Sequence, residues 1–151
     1  MITRRLQNEM KFFQRTVLHP NIAMQPSEDS MLIWYFALYN LDGEEYLGRI
    51  DISTEYPFKQ PQLMLITPNS KYNTFEPICI NSQNEWSPKW NLQTLLITFL
   101  NIFEAASSAD ILSIINSKEY NRTKYPELIQ LLFPDTITIT TTITARKIIE
   151  L

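Results

Sequence analysis

The chain has 151 residues, of which 44% are hydrophobic and 19% charged, and its formal net charge is -3 at pH 7. This length fits one domain whose core buries roughly 70% of the unfolded surface, and the composition excludes disorder throughout. The net charge gives no general attraction to nucleic acid. Because there is no run of 18 apolar residues, no direct membrane span is predicted.

The first predicted element is a helix capped by Thr3 and ended by His19-Pro20. Apolar residues recur along it at helical spacing, and they are Leu6, Met10, Phe13 and Val17. Residues 1–20 carry four basic side chains against one acidic side chain, a local excess of +3. This basic face is either a solvated helix surface or a docking surface for an acidic partner.

Four strands are predicted next, at residues 21–25, 31–39, 46–52 and 62–66. The turn dipeptide Asp42-Gly43 joins the second strand to the third. Since the connections are short, an antiparallel meander is favoured over a parallel sheet. Residues 67–89 have no clean period and contain prolines at 68, 77 and 88, which predicts a long ordered loop of the kind that carries function.

Helices are predicted after this loop. Asn91 would cap the strongest of them, whose apolar face is wide enough to lie buried behind the sheet. Asp110 can cap a short helix through Asn116, and Pro126 fits the first turn of a last helix through Leu132. The order of a helix, strands, a loop and further helices indicates an α+β fold.

The predicted domain organisation is a core domain at residues 1–134 and a C-terminal extension at residues 135–151. Residues 136–144 alternate like a strand but have no evident partner. We therefore expect a loosely held, poorly ordered tail.

Cys79 is the only cysteine, and a lone cysteine is usually a small buried hydrophobe. Its context points instead to a nucleophilic thiol, because Thr67-Pro68-Asn69 precedes it and Trp86-Ser87-Pro88 follows it. One cysteine cannot form an internal disulfide, and no leader precedes the first helix, so a cytosolic or nuclear setting is favoured. No metal site is expected, since one His and one Cys cannot furnish four soft ligands.

An ordered set of motifs between the predicted strands and the strongest helix resembles the core of the ubiquitin-conjugating enzymes, over residues 3–134. The motifs are Tyr56-Pro57-Phe58-Lys59-Gln60-Pro61, Thr67-Pro68-Asn69, Ile78-Cys79-Ile80 and Trp86-Ser87-Pro88. The resemblance implies the ubiquitin-conjugating fold: an N-terminal helix, a four-stranded antiparallel meander, a long active-site loop and C-terminal helices. It also implies no cofactor, because only the upstream activating enzyme uses ATP.

Within that family the chain is most similar to the branch that serves endoplasmic-reticulum-associated degradation and usually carries a C-terminal membrane anchor. Most members have His-Pro-Asn with its Asn eight residues before the cysteine. In this branch the motif is Thr-Pro-Asn, and the distance from its Asn to the cysteine is two residues longer. Asn69 and Cys79 have this longer spacing. His19-Pro20-Asn21 has the sequence of the usual family motif but lies before the first strand, far from the cysteine. We therefore expect it to have a structural role at the end of the first helix. Because no anchor is found here, attachment to the reticulum membrane would come from a partner or from residues outside this chain, or would not occur at all.

The resemblance implies a transferase in which Cys79 accepts ubiquitin as a thioester from an activating enzyme. With a ubiquitin ligase, it would pass ubiquitin to an amine or hydroxyl of a protein substrate. Asn69 would donate an amide hydrogen to the developing oxyanion or would hold the loop in place. Asp110 would orient an incoming lysine and accept its proton, or would only cap a helix, and Ser107 and Ser108 border the same mouth.

The resemblance further implies one surface shared by the activating enzyme and the ligases. Its residues are Arg4, Arg5, Lys11, Pro57, Phe58, Lys59, Ser87 and Pro88. Phe58 would be an exposed apolar anchor or would pack under its own loop. Tyr56-Pro57 is a candidate cis peptide. Trp86 and Trp90 are interpreted as core aromatics that fix the loop beside the cysteine groove.

Several features depart from the family pattern. The connection from Tyr39 to Tyr46 is short and lacks the usual glycine signature, and Gln60 replaces a proline. The gap from Cys79 to Trp86 is also short, which predicts a narrow acceptor groove. The first strand lacks the Ser that many members use to bind ubiquitin on the back face. Two alternatives stay open: a non-catalytic scaffold that binds ubiquitin or a partner enzyme, and a conjugating enzyme for another ubiquitin-like modifier.

Overall fold

The computed structural model describes residues 2–15, 20–39, 44–69, 71–78, 86–106 and 117–134. The helices are α1 (Ile2–Arg15), α2 (Leu92–Ala106), α3 (Ser117–Lys124) and α4 (Pro126–Leu132). The strands are β1 (Ile22–Pro26), β2 (Ile33–Tyr39), β3 (Glu45–Asp51) and β4 (Gln62–Leu65). The predicted α+β order of a helix, four strands and further helices is therefore confirmed.

The strands form one antiparallel sheet in the order β1-β2-β3-β4, as the short connections predicted. Successive side chains of a strand point to opposite faces. In β2, Trp34, Phe36 and Leu38 belong to one core cluster, whereas Ala37 belongs to a second cluster. The sheet consequently separates two apolar layers.

The larger layer joins α1 and α2 to the sheet. Leu6 of α1 is fully buried against it, and α2 contributes most of its own length. The buried side chains of α2 are Leu92, Leu95, Leu96, Phe99, Leu100 and Phe103. Each burial of this kind stabilises the fold by about 1.5–3 kcal/mol. Asn91 caps α2 as predicted, because its Oδ1 accepts a 2.8 Å hydrogen bond from the backbone N–H of Thr94.

Gly48 allows a close approach inside this layer. It pairs with Phe36 across β2 and β3, and a Cβ atom at position 48 would lie 2.0 Å from Cζ of the Phe36 ring. No other residue type can stand there without moving that ring. Phe36 is fully buried over the glycine, which holds β3 close to the centre of the core.

The smaller layer lies on the other face of the sheet. It consists of Ala37, Leu47, Ile66, Ile129 and Leu132. The helix α4 supplies the last two, and it starts at Pro126 and ends at Leu132 as the sequence predicts. This layer therefore attaches the C-terminal helices to the strands.

One helix boundary and one whole helix differ from the sequence-based expectation. The predicted cap at Thr3 is wrong, because α1 begins at Ile2 and Thr3 lies inside the helix. The helix α3 was not predicted at all. Its buried residues, Ser117 and Asn121, are polar, so it has no apolar period for sequence analysis to detect.

Several predictions fall on residues that the structure does not describe. They are the helix exit at His19, the turn at Asp42-Gly43, the short helix at 110–116 and the tail at 135–151. Within the ranges that are described, no helix has the length and apolar character needed to cross a membrane.

Candidate functional site

The residue before the candidate nucleophile pairs with β4. The backbone N–H of Ile78 donates a 2.8 Å hydrogen bond to the carbonyl of Leu63, and the two residues form an isolated antiparallel bridge. Cys79 follows Ile78 directly in the sequence. Cys79 and Asp110, together with Ser107 and Ser108, lie outside the described residues, so their predicted roles stay predictions.

Asn69 forms a tight turn that fixes its own side chain. Its Oδ1 accepts backbone hydrogen bonds from Lys71 at 3.0 Å and from Tyr72 at 2.8 Å. Its Nδ2 donates to the carbonyl of Thr67 at 3.1 Å. An Asn side chain bonded to its own backbone in this way stabilises a turn. The structure thus gives Asn69 the loop-holding contacts that were one of its two predicted roles.

The residues after Asn69 fasten this turn to the end of α2. Lys71 Nζ donates a 2.8 Å hydrogen bond to the carbonyl of Phe103 and lies 4.9 Å from the centre of its ring. The ring of Tyr72 packs on Phe99 and Phe103, with centroid distances of 5.8 and 6.3 Å. We call residues 67–69, 71 and 72 the Asn69 turn. Contacts with Phe99 and Phe103 of the buried helix α2 set its position.

The predicted docking surface contains two loops that touch each other. We call residues 56–61 the cis-proline loop, since the Tyr56-Pro57 peptide is cis as predicted, and residues 86–90 the tryptophan loop. The indole N–H of Trp86 donates a 2.8 Å hydrogen bond to the carbonyl of Pro57. Its ring also packs on Tyr56 and Trp90, at 6.1 and 6.0 Å between centroids. The tryptophans therefore fix these loops to one another.

Phe58 stands out from the cis-proline loop. Its side chain is 75% exposed, so its ring does not pack under its own loop. Backbone hydrogen bonds from Phe58 and Lys59 to the carbonyl of Glu55, at 2.9 and 3.2 Å, hold the turn that presents it. Pro57 is half-buried and Lys59 exposed, and in the other loop Ser87 is half-buried and Pro88 exposed. The result is a rigid, projecting aromatic ring.

A buried carboxylate ties both loops to α1. Glu9 is 7% exposed and accepts hydrogen bonds from the Tyr56 hydroxyl at 2.5 Å, from Arg5 Nε at 3.1 Å and from the backbone N–H of Leu92 at 2.8 Å. Arg5 in turn donates to the carbonyls of Pro88 at 3.2 Å and Trp90 at 2.7 Å. We call Arg5, Glu9 and Tyr56 the Glu9 cluster. It joins α1, α2 and both loops at one point.

The contacts of the Glu9 cluster also raise the pKa values of Tyr56 and Arg5. Burial, with the hydrogen bond to Glu9, raises the pKa of Tyr56 above its ordinary value. Burial opposes the charge on Arg5, but the hydrogen bond and charge of Glu9 outweigh it and raise the pKa of Arg5. At neutral pH the cluster therefore holds a neutral phenol and a charged guanidinium.

The basic residues of the predicted surface divide into two kinds. Arg5 is engaged by the fold, as described, whereas Arg4 and Lys11 are exposed on α1. From the sequence, Glu9 was interpreted only as a charge opposing the basic residues of the first helix, and its burial was not predicted. Its place three residues after Leu6, on the edge of the apolar stripe, is the signal that would have identified it as buried.

Comparison with known proteins yields a consistent set of relatives, although no protein-family model matches the chain. Ubiquitin-conjugating enzyme E2 32 of Arabidopsis thaliana is 31% identical over 65% of this chain and 35% of its own length. Ubiquitin-conjugating enzyme E2 6 of Eremothecium gossypii is 25% identical over 87% of this chain and 62% of its own length. Human ubiquitin-conjugating enzyme E2 J1 is 29% identical over 65% of this chain and 34% of its own length.

Solved structures show the same fold. A ubiquitin-conjugating enzyme from Plasmodium falciparum matches with a TM-score of 0.59 and 18% identity, over 68% of this chain and 98% of that structure. The enzyme UbcA1 of Agrocybe aegerita matches with a TM-score of 0.58 and 19% identity, over 69% and 82% of the two chains. The predicted ubiquitin-conjugating fold is therefore confirmed.

The resemblance to ubiquitin-conjugating enzymes is confirmed by these relatives, whose names are also consistent with the predicted branch. The chain spans about a third of the length of the first relative and about three fifths of the second.

Proposed function

We propose that this chain is a ubiquitin-conjugating enzyme in which Cys79 carries ubiquitin as a thioester. The observation that carries the proposal is the agreement of sequence and fold: named ubiquitin-conjugating enzymes match up to 87% of the chain, and solved members of that group share its fold. The ordered motifs around Cys79 support the same assignment.

The proposed reaction has two steps. In the first, the thiolate of Cys79 attacks the thioester carbonyl of ubiquitin on the activating enzyme, and the cysteine thiolate of that enzyme leaves. In the second, a substrate lysine amine attacks the new thioester, loses a proton and expels the Cys79 thiolate, leaving an amide. The thioester energy drives the second step without further ATP. The site therefore has to supply geometry and a place for negative charge.

Asn69 is the donor proposed for that charge. A primary amide carries two N–H groups, and one of them is donated to Thr67. The other is assigned to the oxyanion that forms when the amine attacks. The bonds from Lys71 and Tyr72 to Asn69 Oδ1 orient the amide in advance, which is what lets such a donor act without reorganisation. Asp110 is assigned the role of orienting the incoming lysine amine and accepting its proton.

The docking surface is proposed to bind the activating enzyme and a ligase in turn. Phe58 supplies an apolar anchor that loses little conformational entropy on binding, because its loop is already fixed. Arg4 and Lys11 add exposed positive charge on α1, and the Ser87-Pro88 segment completes the surface. A cytoplasmic or nuclear site of action, with recruitment to the reticulum, remains a prediction from the sequence.

Charging with ubiquitin tests the proposal. The chain is incubated with ubiquitin, activating enzyme and ATP, and the products are separated with and without dithiothreitol. Wild type should give an adduct that dithiothreitol removes, and Cys79→Ala should give none. Cys79→Ser should give an oxygen ester that survives dithiothreitol. Absence of an adduct with ubiquitin and with every other modifier of a panel, or an unchanged adduct on Cys79→Ala, would reject an enzymatic function.

The alternatives make different predictions in the same assay. A non-catalytic scaffold binds ubiquitin without forming any adduct, and an enzyme for another modifier is charged by that modifier and its own activating enzyme. The names of the relatives favour ubiquitin.

A further inference from the structure

A buried network connects α3 to the Asn69 turn. Asn121 of α3 is fully buried, although it is a polar residue. Its Oδ1 accepts a 2.6 Å hydrogen bond from the Thr67 hydroxyl, and its Nδ2 donates to the carbonyl and to Oε1 of Glu45, both at 3.1 Å. Since a buried amide that loses a partner costs about 1–3 kcal/mol, this arrangement is strongly specified.

The orientation of the Asn121 amide is set from the side of β3. Glu45 is fully buried, and Arg122 donates to its Oε1 at 3.0 Å. Because Glu45 presents acceptors, the NH₂ group of Asn121 faces it and the amide oxygen faces Thr67. The neighbouring residue Ser117 donates a further bond from its hydroxyl to Glu44 and accepts one from the backbone of Glu45. The polar face of α3 is thus locked to the start of β3.

Thr67 transmits this constraint to Asn69. Its hydroxyl donates to Asn121 and accepts a 2.8 Å hydrogen bond from the backbone N–H of Leu47, so the hydroxyl cannot rotate without losing one of them. Its own backbone N–H lies 3.2 Å from the Leu47 carbonyl. The carbonyl of the same residue is the acceptor for Asn69 Nδ2. Fixing Thr67 on both sides fixes the direction in which the Asn69 amide points.

We propose that Asn121 and Thr67 are positioning residues for Asn69, and that α3 sets the rate at which the charged enzyme discharges. This inference rests on the proposed function. It assigns a role to α3, a helix of neutral and charged side chains with no apolar face. Neither residue touches the reacting atoms, so both act only through the placement of Asn69.

Three variants separate positioning from general stability. Thr67→Val keeps the shape of the side chain but removes the hydroxyl, and Thr67→Ser keeps the hydroxyl. Ile129→Val lowers stability by removing a methyl group from the second core layer, whose residues do not include Thr67. We expect all three variants to be charged with ubiquitin at the wild-type rate. Discharge to free lysine should slow about tenfold in Thr67→Val alone. A small displacement of a positioned group can change a rate by up to about 100-fold.

A second readout does not depend on activity. The backbone N–H groups of Lys71 and Tyr72 are bonded to Asn69 Oδ1, so amide hydrogen exchange reports whether the turn is held. Thr67→Val should speed exchange at Tyr72 about tenfold, and Ile129→Val should leave it near the wild-type rate. Asn121→Ala should reproduce both the exchange and the discharge changes of Thr67→Val.

A double variant decides whether Thr67 acts through Asn69. Adding Thr67→Val to Asn69→Ala should slow discharge no further. The inference is overturned if Thr67→Val discharges and exchanges like wild type, if Thr67→Ser fails to restore either rate, or if Thr67→Val retains its full effect beside Asn69→Ala. If wild type is never charged, the proposed function fails, and the exchange rate at Tyr72 still decides whether Thr67 holds the turn.

Discussion

The docking surface and the Asn69 turn are held by different kinds of interaction. The cis-proline and tryptophan loops meet at the Glu9 cluster, where a buried carboxylate binds a guanidinium and a phenol. Neutral hydrogen bonds link Asn69 to Thr67 and Thr67 to Asn121, and the charged side chains of Lys71 and Glu45 join that chain to its surroundings. One buried carboxylate therefore joins the loops of the region proposed to bind partners, whereas a chain of neutral residues runs through the region proposed to perform the chemistry.

This difference implies that binding and chemistry can be altered separately. Partners dock on exposed side chains such as Phe58, whose loop is already rigid. The Asn69 turn is attached to α2 through Lys71 and Tyr72 and to α3 through Thr67. The two regions thus contact opposite ends of α2 and otherwise have different supports, so a substitution in one should leave the other working.

The largest effect is expected at Asn69. Asn69→Ala should still be charged, but its discharge to lysine should slow about 100-fold, since that is the loss seen when one oxyanion donor is removed. Asn69→Asp keeps an acceptor for the Lys71 and Tyr72 amides but lacks the N–H donor. Single-turnover discharge of both variants distinguishes the two predicted roles of Asn69.

The two predicted roles of Asn69 give different results for these variants. Equal slowing in both assigns oxyanion stabilisation to the amide, and wild-type discharge of Asn69→Asp would leave only the loop-holding role. Asn73→Ala is the matched control, because Asn73 lies in the same loop but is exposed and bonded to Glu76.

The next effect concerns ligase binding. Phe58→Ala should weaken binding to a cognate ligase about 30-fold, the equivalent of about 2 kcal/mol for an interface anchor. Stability should not change, because the ring is 75% exposed, and Phe58→Ala should still form the thioester. Phe75→Ala is the control. It removes another exposed ring, which lies three residues after the Asn69 turn in the chain and outside the predicted docking surface, and it should bind the ligase like wild type. Unchanged ligase affinity of Phe58→Ala, measured by calorimetry, would exclude an anchoring role.

A stability change is expected at the Glu9 cluster. Glu9→Gln replaces one acceptor oxygen with a donor that faces Arg5, Tyr56 or the N-terminus of α2, so the free energy of unfolding should fall by about 2 kcal/mol. The exposed Glu55 provides the control, since Glu55→Gln should stay within about 0.5 kcal/mol of wild type. Urea unfolding measures both, and equal stabilities would show that the cluster does not hold the loops.

The smallest effect is a dependence on alkaline pH. Burial, with the hydrogen bond and charge of Glu9, raises the folded pKa of Tyr56 above the ordinary value of 10.0. Above about pH 10 the unfolded chain loses a proton that the folded chain keeps, so stability is lost as pH rises, by up to about 1.4 kcal/mol per pH unit for this one group. Tyr56→Phe should reduce that slope in urea unfolding between pH 9 and 11. An unchanged slope would show that Tyr56 titrates normally.

Much of the fold follows from residues whose signals are local. The apolar period of α2 and its cap at Asn91 predict that helix, alternation and short connections predict the sheet, and Pro126 marks the start of α4. These features depend on hydrophobic burial and on capping, which leave a pattern in the sequence.

The helix α3 and the long-range partners of the Glu9 cluster leave no such pattern. The segment Ser117–Lys124 is polar, and its buried face consists of Ser117 and Asn121. These residues become buried only because Glu45 of β3 and Thr67 of the Asn69 turn offer partners. Likewise, Arg5 on α1 finds its acceptors at Pro88 and Trp90, more than 80 positions along the chain. Hydrogen bonds between distant segments cannot be read from the spacing of residues.

The most direct test of the proposed relay is to locate the modifier on the charged protein. The adduct is digested under non-reducing, mildly acidic conditions, and the peptides are identified by mass spectrometry. The relay predicts a thioester on the peptide that contains Cys79, which disappears on treatment with free lysine as the lysine amide appears. A modifier found on a lysine of the chain, or on no peptide at all, would contradict it.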